Sequence, residues 1–162
     1  MCLLNVLNIL SLRSSKDIYS AQRHREHKVA QRHMAELEYN NISKQIINAA
    51  IEVHNELGAG LLESVYEYCM LEELKRRGLI AERQVQLPVC YKGSKLDKDF
   101  YVDILVEDKV LLELKSVETI LPIHEFQLLT YLKLSGKKLG LLINFNVPQL
   151  KYGIRRKING TL

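Results

Sequence analysis

Phe100-Tyr101-Val102-Asp103-Ile104-Leu105-Val106, then Glu107-Asp108-Lys109, then Val110-Leu111-Leu112-Glu113-Leu114-Lys115, is the stretch on which the fold turns. Both arms are short and rich in Val, Ile, Leu and aromatics, and a polar tip joins them, so they read as a β-hairpin. Three ionisable residues interrupt the apolar pattern of the arms: Asp103, Glu113 and Lys115. Alternation along a strand puts Glu113 and Lys115 on one face. A loop of three residues, Glu107 to Lys109, pairs Val106 with Val110 and sets Asp103 opposite Glu113. A two-residue loop would slip the register by one and turn the two carboxylates to opposite faces. Loop length decides whether there is a site.

Two carboxylates and an ammonium on an otherwise apolar face are costly unless they pair or hold a metal. Hard oxygen donors at this density suit Mg²⁺ or Mn²⁺, which need one or two protein carboxylates and take water and phosphate for the rest. A lysine beside the ion can orient the attacking water and offset charge on the phosphate, which is metal-assisted hydrolysis. The plain alternative is a half-exposed hairpin with Glu113 and Lys115 solvated and Asp103 paired to a nearby lysine. For a lone E-x-K in a strand, that plain reading is the commoner one.

The surroundings shift the balance. An acidic residue in one strand, E-x-K in the next and a helix after it resemble the core of the PD-(D/E)xK nuclease superfamily. Gly60-Leu61-Leu62-Glu63-Ser64-Val65-Tyr66 matches the G-x-x-E-x-x-Y signature that names one family within it, the GxxExxY family. Gln127-Leu128-Leu129-Thr130-Tyr131 matches the Q-x-x-x-Y that follows E-x-K in the RecB-like nucleases. The resemblance spans roughly Ile42 to Ile158, with the motifs in the expected order. It implies a restriction-endonuclease-like α/β core and a Mg²⁺- or Mn²⁺-dependent phosphodiester hydrolase acting on nucleic acid, with DNA favoured. By the same resemblance Asp103, Glu113 and Glu63 hold the metal, joined by the carbonyl of Leu114. Lys115 positions or activates the water, and Gln127 and Tyr131 support the site.

Composition bounds the alternatives. The chain has 162 residues, nearly half of them apolar and a quarter charged, which fits one globular domain with a real core. Cys2, Cys69 and Cys90 are odd in number and lack ligand spacing, which favours a reducing, cytoplasmic setting and gives no zinc site. No run approaches transmembrane length. The net charge of +4 comes entirely from residues 1–33, where six Lys/Arg face two Asp/Glu; the remainder has seventeen of each sign. The body of the chain is therefore not a broadly basic nucleic-acid binder, and any phosphate-binding surface must be local. Residues 1–33 differ in pattern from all that follows. They read as a leader, disordered or outside the native domain, with residues 34–162 forming the nuclease-like domain.

Taken in order, Ile42, Ile46, Ala49, Ala50, Val53 and Leu57 fall at helical spacing, with Ser43 as a candidate N-cap. Gly58-Ala59-Gly60 turns into a second helix, Leu61 to Arg77, where Glu63, Tyr66, Glu67 and Met70 share a face. Tyr66 is a candidate substrate contact, although a helical tyrosine is usually core with its hydroxyl at the edge. Arg83 to Tyr91 alternates as a strand, with Pro88 marking an edge or bulge and Gly93-Ser94 a two-residue turn. Pro122 fits the first position of a helix to Ser135, with Gly136 past its end. Lys138 to Phe145, a near-continuous apolar run around Leu139-Gly140-Leu141-Leu142-Ile143, reads as a buried strand, parallel to a neighbour because a helix precedes it. Asn144 and Asn146 read as turn residues. Tyr152 to Ile158 is a further strand whose Arg155, Arg156 and Lys157 form a basic cluster. Arg155 and Arg156 are the local candidates for a phosphate contact.

The expected architecture is thus two leading helices, a three-stranded antiparallel meander, a crossover helix and a further buried strand. A rival from another class is a non-catalytic binding or regulatory module that keeps the fold, consistent with the neutral charge of the domain. The same metal chemistry would also serve an enzyme of small nucleotides.

Overall fold

Val110–Lys115 (β3) and Leu139–Asn144 (β4) are nearly continuous apolar runs, and strands of that kind need cover on both faces. In the computed structural model they lie parallel at the centre of a five-stranded sheet, in register from Val110 opposite Leu139 to Lys115 opposite Asn144. Ala81–Tyr91 (β1) and Ser94–Val106 (β2) complete the antiparallel meander on one side. Ile154–Ile158 (β5) adds antiparallel to β4 on the other, giving the order β1-β2-β3-β4-β5. The helices are α1 (Leu3–Leu57), α2 (Glu63–Arg76) and α3 (Pro122–Ser135), the last linking β3 to β4. The structure describes residues 3–162, with side chains from Tyr19 onward except at positions 90, 98 and 99. Cys2 and the side chains of Cys90 and Lys98 lie outside the described residues.

The chain divides into two compact units, Met1–Leu37 and Glu38–Leu162. The described part of the first is all helix, and its side chains from Tyr19 to Met34 are exposed. The leader of residues 1–33 falls within it. α1 runs without a break through position 43, so Ser43 is a buried residue inside a helix and caps nothing.

In the second unit, one face of the sheet is covered by α1 from Ile42 onward and by α2. Ile46, Ala49, Ala50, Tyr66, Met70 and Leu74 pack there against Ile104, Leu112 and Leu114. Leu128, Tyr131 and Leu132 of α3 cover the other face, against Leu105, Leu111 and Leu142. Each buried Leu or Ile contributes about 1.5–3 kcal/mol. Gly140 lets α3 come close: a Cβ there would lie 2.7 Å from Leu128 Cδ1.

The hairpin loop is the three-residue one. Val106 pairs with Val110, Leu105 with Leu111 and Ile104 with Leu112. Glu107 and Asp108 both take positive φ, and Lys109 N–H closes the turn on Val106 carbonyl at 2.9 Å. The β1–β2 turn is Lys92-Gly93 rather than Gly93-Ser94, because Ser94 already pairs with Tyr91. Pro88 sits on an edge strand, beside a register shift between Pro88 and Cys90.

Candidate active site

The central feature is a fork. β2 and β3 pair as far as Ile104 and Leu112, and the paired ladder stops there. On its other side, β2 pairs Val102 with Val85 and Ile104 with Arg83 but skips Asp103 and Gln84 between them. Gln84 has φ 50°, a costly conformation for a non-glycine residue in a strand. Across this break the alternation changes. Val102 joins the cluster under α3, whereas Ile104, two residues on, joins the cluster under α1 and α2. Asp103 occupies the kink, and its Oδ2 accepts the Leu114 N–H at 2.7 Å where a backbone carbonyl would otherwise be.

One N–H further along the same edge of the chain, Ser116 N–H donates to Glu63 Oε1 at 3.0 Å. Side-chain carboxylates from β2 and α2 thus take over the acceptors that the diverging strand no longer supplies. The Leu114 carbonyl leaves the strand on the same edge as its N–H, the geometry of a narrow ladder pair. Ser116 Oγ adds a bond to Leu61 carbonyl at 2.6 Å, tying the α2 entry to the end of β3.

Glu113 and Lys115 project to the α3 side, on the face that Leu111 shares. Lys115 Nζ donates to Glu113 Oε1 at 2.6 Å. Glu113 Oε2 is buried with no hydrogen-bond partner among the described residues. Burial pushes the Glu113 carboxyl up to about 7, with Asp103 and Glu63 adding repulsion and Lys115 opposing. Asp103 is raised for the same first reason, against the Leu114 N–H and Lys115; Glu67 and Glu63 raise it further. Burial works against the charge on Lys115, but Glu113, Glu63 and Asp103 outweigh it and its pKa is raised. Asp103 and Glu113 thus feel each other or neighbouring carboxylates, Glu63 acting on both and Glu67 on Asp103, with Lys115 among them.

Gln127 Nε2 donates to Tyr131 Oη at 2.8 Å from the next turn of α3, as their spacing predicts. Burial raises the Tyr131 hydroxyl, Gln127 lowers it, and both Glu113 and Asp103 act on it, so the pair borders the carboxylates. His124 is a local brace, its Nδ1 accepting Leu121 N–H at 3.2 Å.

Two expected site residues are placed elsewhere. Tyr66 is fully buried, stacked on Phe145 with ring centroids 4.3 Å apart. Its hydroxyl donates to Gly58 carbonyl and accepts Leu61 N–H, so it fastens the turn into α2 and offers nothing to a substrate. Arg156 faces the α1 side and donates to Asn40 Oδ1 at 2.7 Å. Strand alternation sends Arg155 and Lys157 the other way, where both meet Glu125 of α3, so the three basic residues are not one cluster.

Two residues matter more than their sequence context suggests. Glu67 is buried beside the fork, accepting from Arg83 Nε at 2.9 Å and Gln84 Nε2 at 3.0 Å. Its position on the apolar stripe between Tyr66 and Met70 is the signal that marks it. Asn144 is buried and no simple turn residue. It accepts Val117 N–H and donates to Val117 carbonyl, pinning the segment that leaves Lys115.

Among the described residues, no three His, Cys, Asp or Glu side chains converge as a finished metal cage. The donors nevertheless fit a hard divalent ion. Glu113 Oε2 is an orphaned buried carboxylate oxygen beside Asp103, and Mg²⁺ needs only one or two carboxylates.

A mixed α/β sheet that opens at an acid–E-x-K fork, with helices on both faces, defines a nuclease-like domain of the restriction-endonuclease type. The family model described as PD-(D/E)XK nuclease superfamily matches residues 40–157, and the chain belongs to that superfamily. No curated protein matches the sequence. Among solved structures, a chain described as "Crystal structure of SSO0001" is 22% identical, with a TM-score of 0.43. The match covers 82% of this chain and 63% of that one, so the chain spans less than two thirds of the length of that relative. Among the described residues, no helix is long and apolar enough to cross a membrane.

Proposed function

We propose that the protein is a divalent-metal-dependent phosphodiester hydrolase acting on nucleic acid, DNA in the first instance. The observation that carries the reading is Glu113: a buried carboxylate with one oxygen held by Lys115 and the other unpartnered, beside the Asp103 carboxylate. Asp103, Glu113 and the Leu114 carbonyl are the groups that would hold Mg²⁺ or Mn²⁺, with Glu63 contributing from α2. Such an ion, when bound, supplies Lewis acidity and a water of lowered pKa. Lys115 then serves the attacking water and the charge developing on the phosphate. Gln127 and Tyr131 hold the α3 wall of the site and steady the lysine. Membership of the GxxExxY family within the superfamily is part of this proposal, supported by Gly60, Glu63 and Tyr66 at the required spacing.

Incubation with single-stranded, double-stranded and branched DNA under Mg²⁺ or Mn²⁺ tests the reading. Wild type is expected to cleave at least one of them, with Lys115→Ala at least 100-fold slower. Millimolar Mn²⁺ is expected to raise the wild-type Tm. No cleavage together with an unmoved melting curve would leave a binding module that has kept the fold.

A further inference from the structure

Beyond the carboxylate fork, Arg155 lies on the same face of the sheet. Glu113, Leu142 and Arg155 occupy one rung across β3, β4 and β5, directly opposite one another. Residues opposite in register share a face, so Arg155 points to the side of Glu113 and Lys115, two strand spacings away, about 10 Å. Lys115 is itself opposite Asn144, which forms part of a cleft of about 200 Å³. Glu118 and Thr119, just after β3, line that cleft together with Tyr152 and Arg155.

Tyr152 is 63% exposed although it is a large aromatic. The Lys151 ammonium stands 4.8 Å from the centre of its ring. The turn that carries it is firmly seated. Gly153 N–H bonds Leu150 carbonyl at 2.8 Å, and Asn144 N–H bonds Gly153 carbonyl at 2.9 Å. A Cβ on Gly153 would lie 2.2 Å from Asn144 carbonyl oxygen, so only glycine allows this approach. Arg155 is braced through Nη1 to the Tyr152 and Ile154 carbonyls, with Glu125 4.0 Å from its Nε. Its side chain remains 45% exposed. An exposed aromatic ring on a fixed turn, with one cation over it and a second bonded to its backbone carbonyl, is an arrangement that can stack an unpaired base and contact its phosphate.

We infer that Tyr152, with Lys151 and Arg155, forms a nucleotide subsite that holds a single-stranded stretch of the substrate flanking the phosphate at Lys115. The inference rests on the proposed function and narrows it to strands with an unpaired region. Glu118, which also lines the cleft, is exposed and repels phosphate, whereas Arg155 attracts it, so the phosphate is expected nearer Arg155.

The test is fluorescence anisotropy on the full chain with a short labelled oligothymidylate and with a blunt duplex, Ca²⁺ replacing Mg²⁺ so that the strand stays intact. Tyr152→Ala is expected to weaken oligothymidylate binding about tenfold. Tyr152→Trp is expected to keep or tighten it, because stacking needs the ring and not the hydroxyl. Arg155→Ala should weaken it too and flatten its salt dependence. Duplex binding should change less than twofold in the Tyr152 variants. The exposed position of Tyr152 means that its variants should melt with wild type. Equal affinity of wild type and Tyr152→Ala for the single strand, with Mn²⁺-dependent cleavage intact, overturns the subsite and leaves the nuclease. A Tyr152-dependent affinity with no cleavage under any metal overturns the nuclease and leaves the subsite.

Discussion

Burial of Glu113 with one oxygen unpartnered, close to Asp103, holds its carboxyl near 7 against an ordinary value of 4.5. Between those values the folded protein keeps a proton that the unfolded chain releases. Stability therefore falls as pH rises from 4.5 to about 7 and levels off above it. The whole swing is on the order of 3 kcal/mol. Asp103 is displaced in the same direction and adds to it. Urea unfolding with chelator present is expected to show wild type more stable at mildly acidic pH than at mildly alkaline pH. Glu113→Gln should flatten that profile, remove the Mn²⁺-induced rise in Tm and abolish cleavage. Parallel pH profiles for the two proteins would refute the assignment. Lys115→Ala acts in the opposite sense, since it leaves Glu113 buried without its cation. Breaking such a pair costs about 3–5 kcal/mol when the carboxylate is charged. Its stability loss should be larger above the Glu113 pKa than below it, with the Mn²⁺ response retained. Asp103, Glu113 and Lys115 were legible in the sequence because ionisable residues stand out in apolar strands. Glu67 was less so, because its burial depends on Arg83 and Gln84 arriving from a different strand.

The elements differ in how plainly they were written. α3 begins at Pro122 and ends before Gly136, whose φ of 68° makes the left-handed cap, so local chemistry sets both ends. The hairpin was readable up to its loop, where two lengths stood open; positive φ at Glu107 and Asp108 makes the three-residue form. The split of Arg155 from Arg156 follows from strand alternation alone, once Tyr152 is seen to lie in a short 3₁₀ turn rather than in β5. The kink at Asp103 was not legible, because it arises between strands, from Gln84 on one side and the Leu114 N–H on the other. The same holds for Asn144, whose role depends on a partner 27 residues away in sequence. Asn144→Ala would leave the Val117 N–H and carbonyl without their partner, costing about 2 kcal/mol. It should also loosen the segment that follows Lys115. The expected result is a lower Tm and a slower cleavage rate with the Mn²⁺ shift in Tm intact. Cleavage at the wild-type rate would mean that Val117 needs no clamp for Lys115 to act.

At the scale of the whole chain, the issue is where the folding unit begins. The hydrophobic core of the second unit is assembled from Ile42 onward, with Tyr39 packed against it, and the superfamily match opens at residue 40. Residues 1–33 supply all of the net positive charge, and their described side chains are exposed. A helical stretch whose described side chains, Tyr19 to His33, are all exposed gains little from packing there, and an isolated helix is marginal in water. It should therefore contribute little to the stability of the core. A chain starting at Met34 is expected to melt within a degree or two of the full chain. It should also keep the Mn²⁺ shift and the cleavage rate on a short single strand at low salt. Loss of the basic segment should show instead in weaker, salt-dependent affinity for long duplexes, since clustered Lys and Arg act through phosphate neutralisation. The two readouts separate the possibilities. A drop of several degrees would place residues before Met34 in the cooperative unit that closes the core. A change confined to long-duplex affinity at low salt would make the segment an electrostatic arm attached to a domain that folds without it.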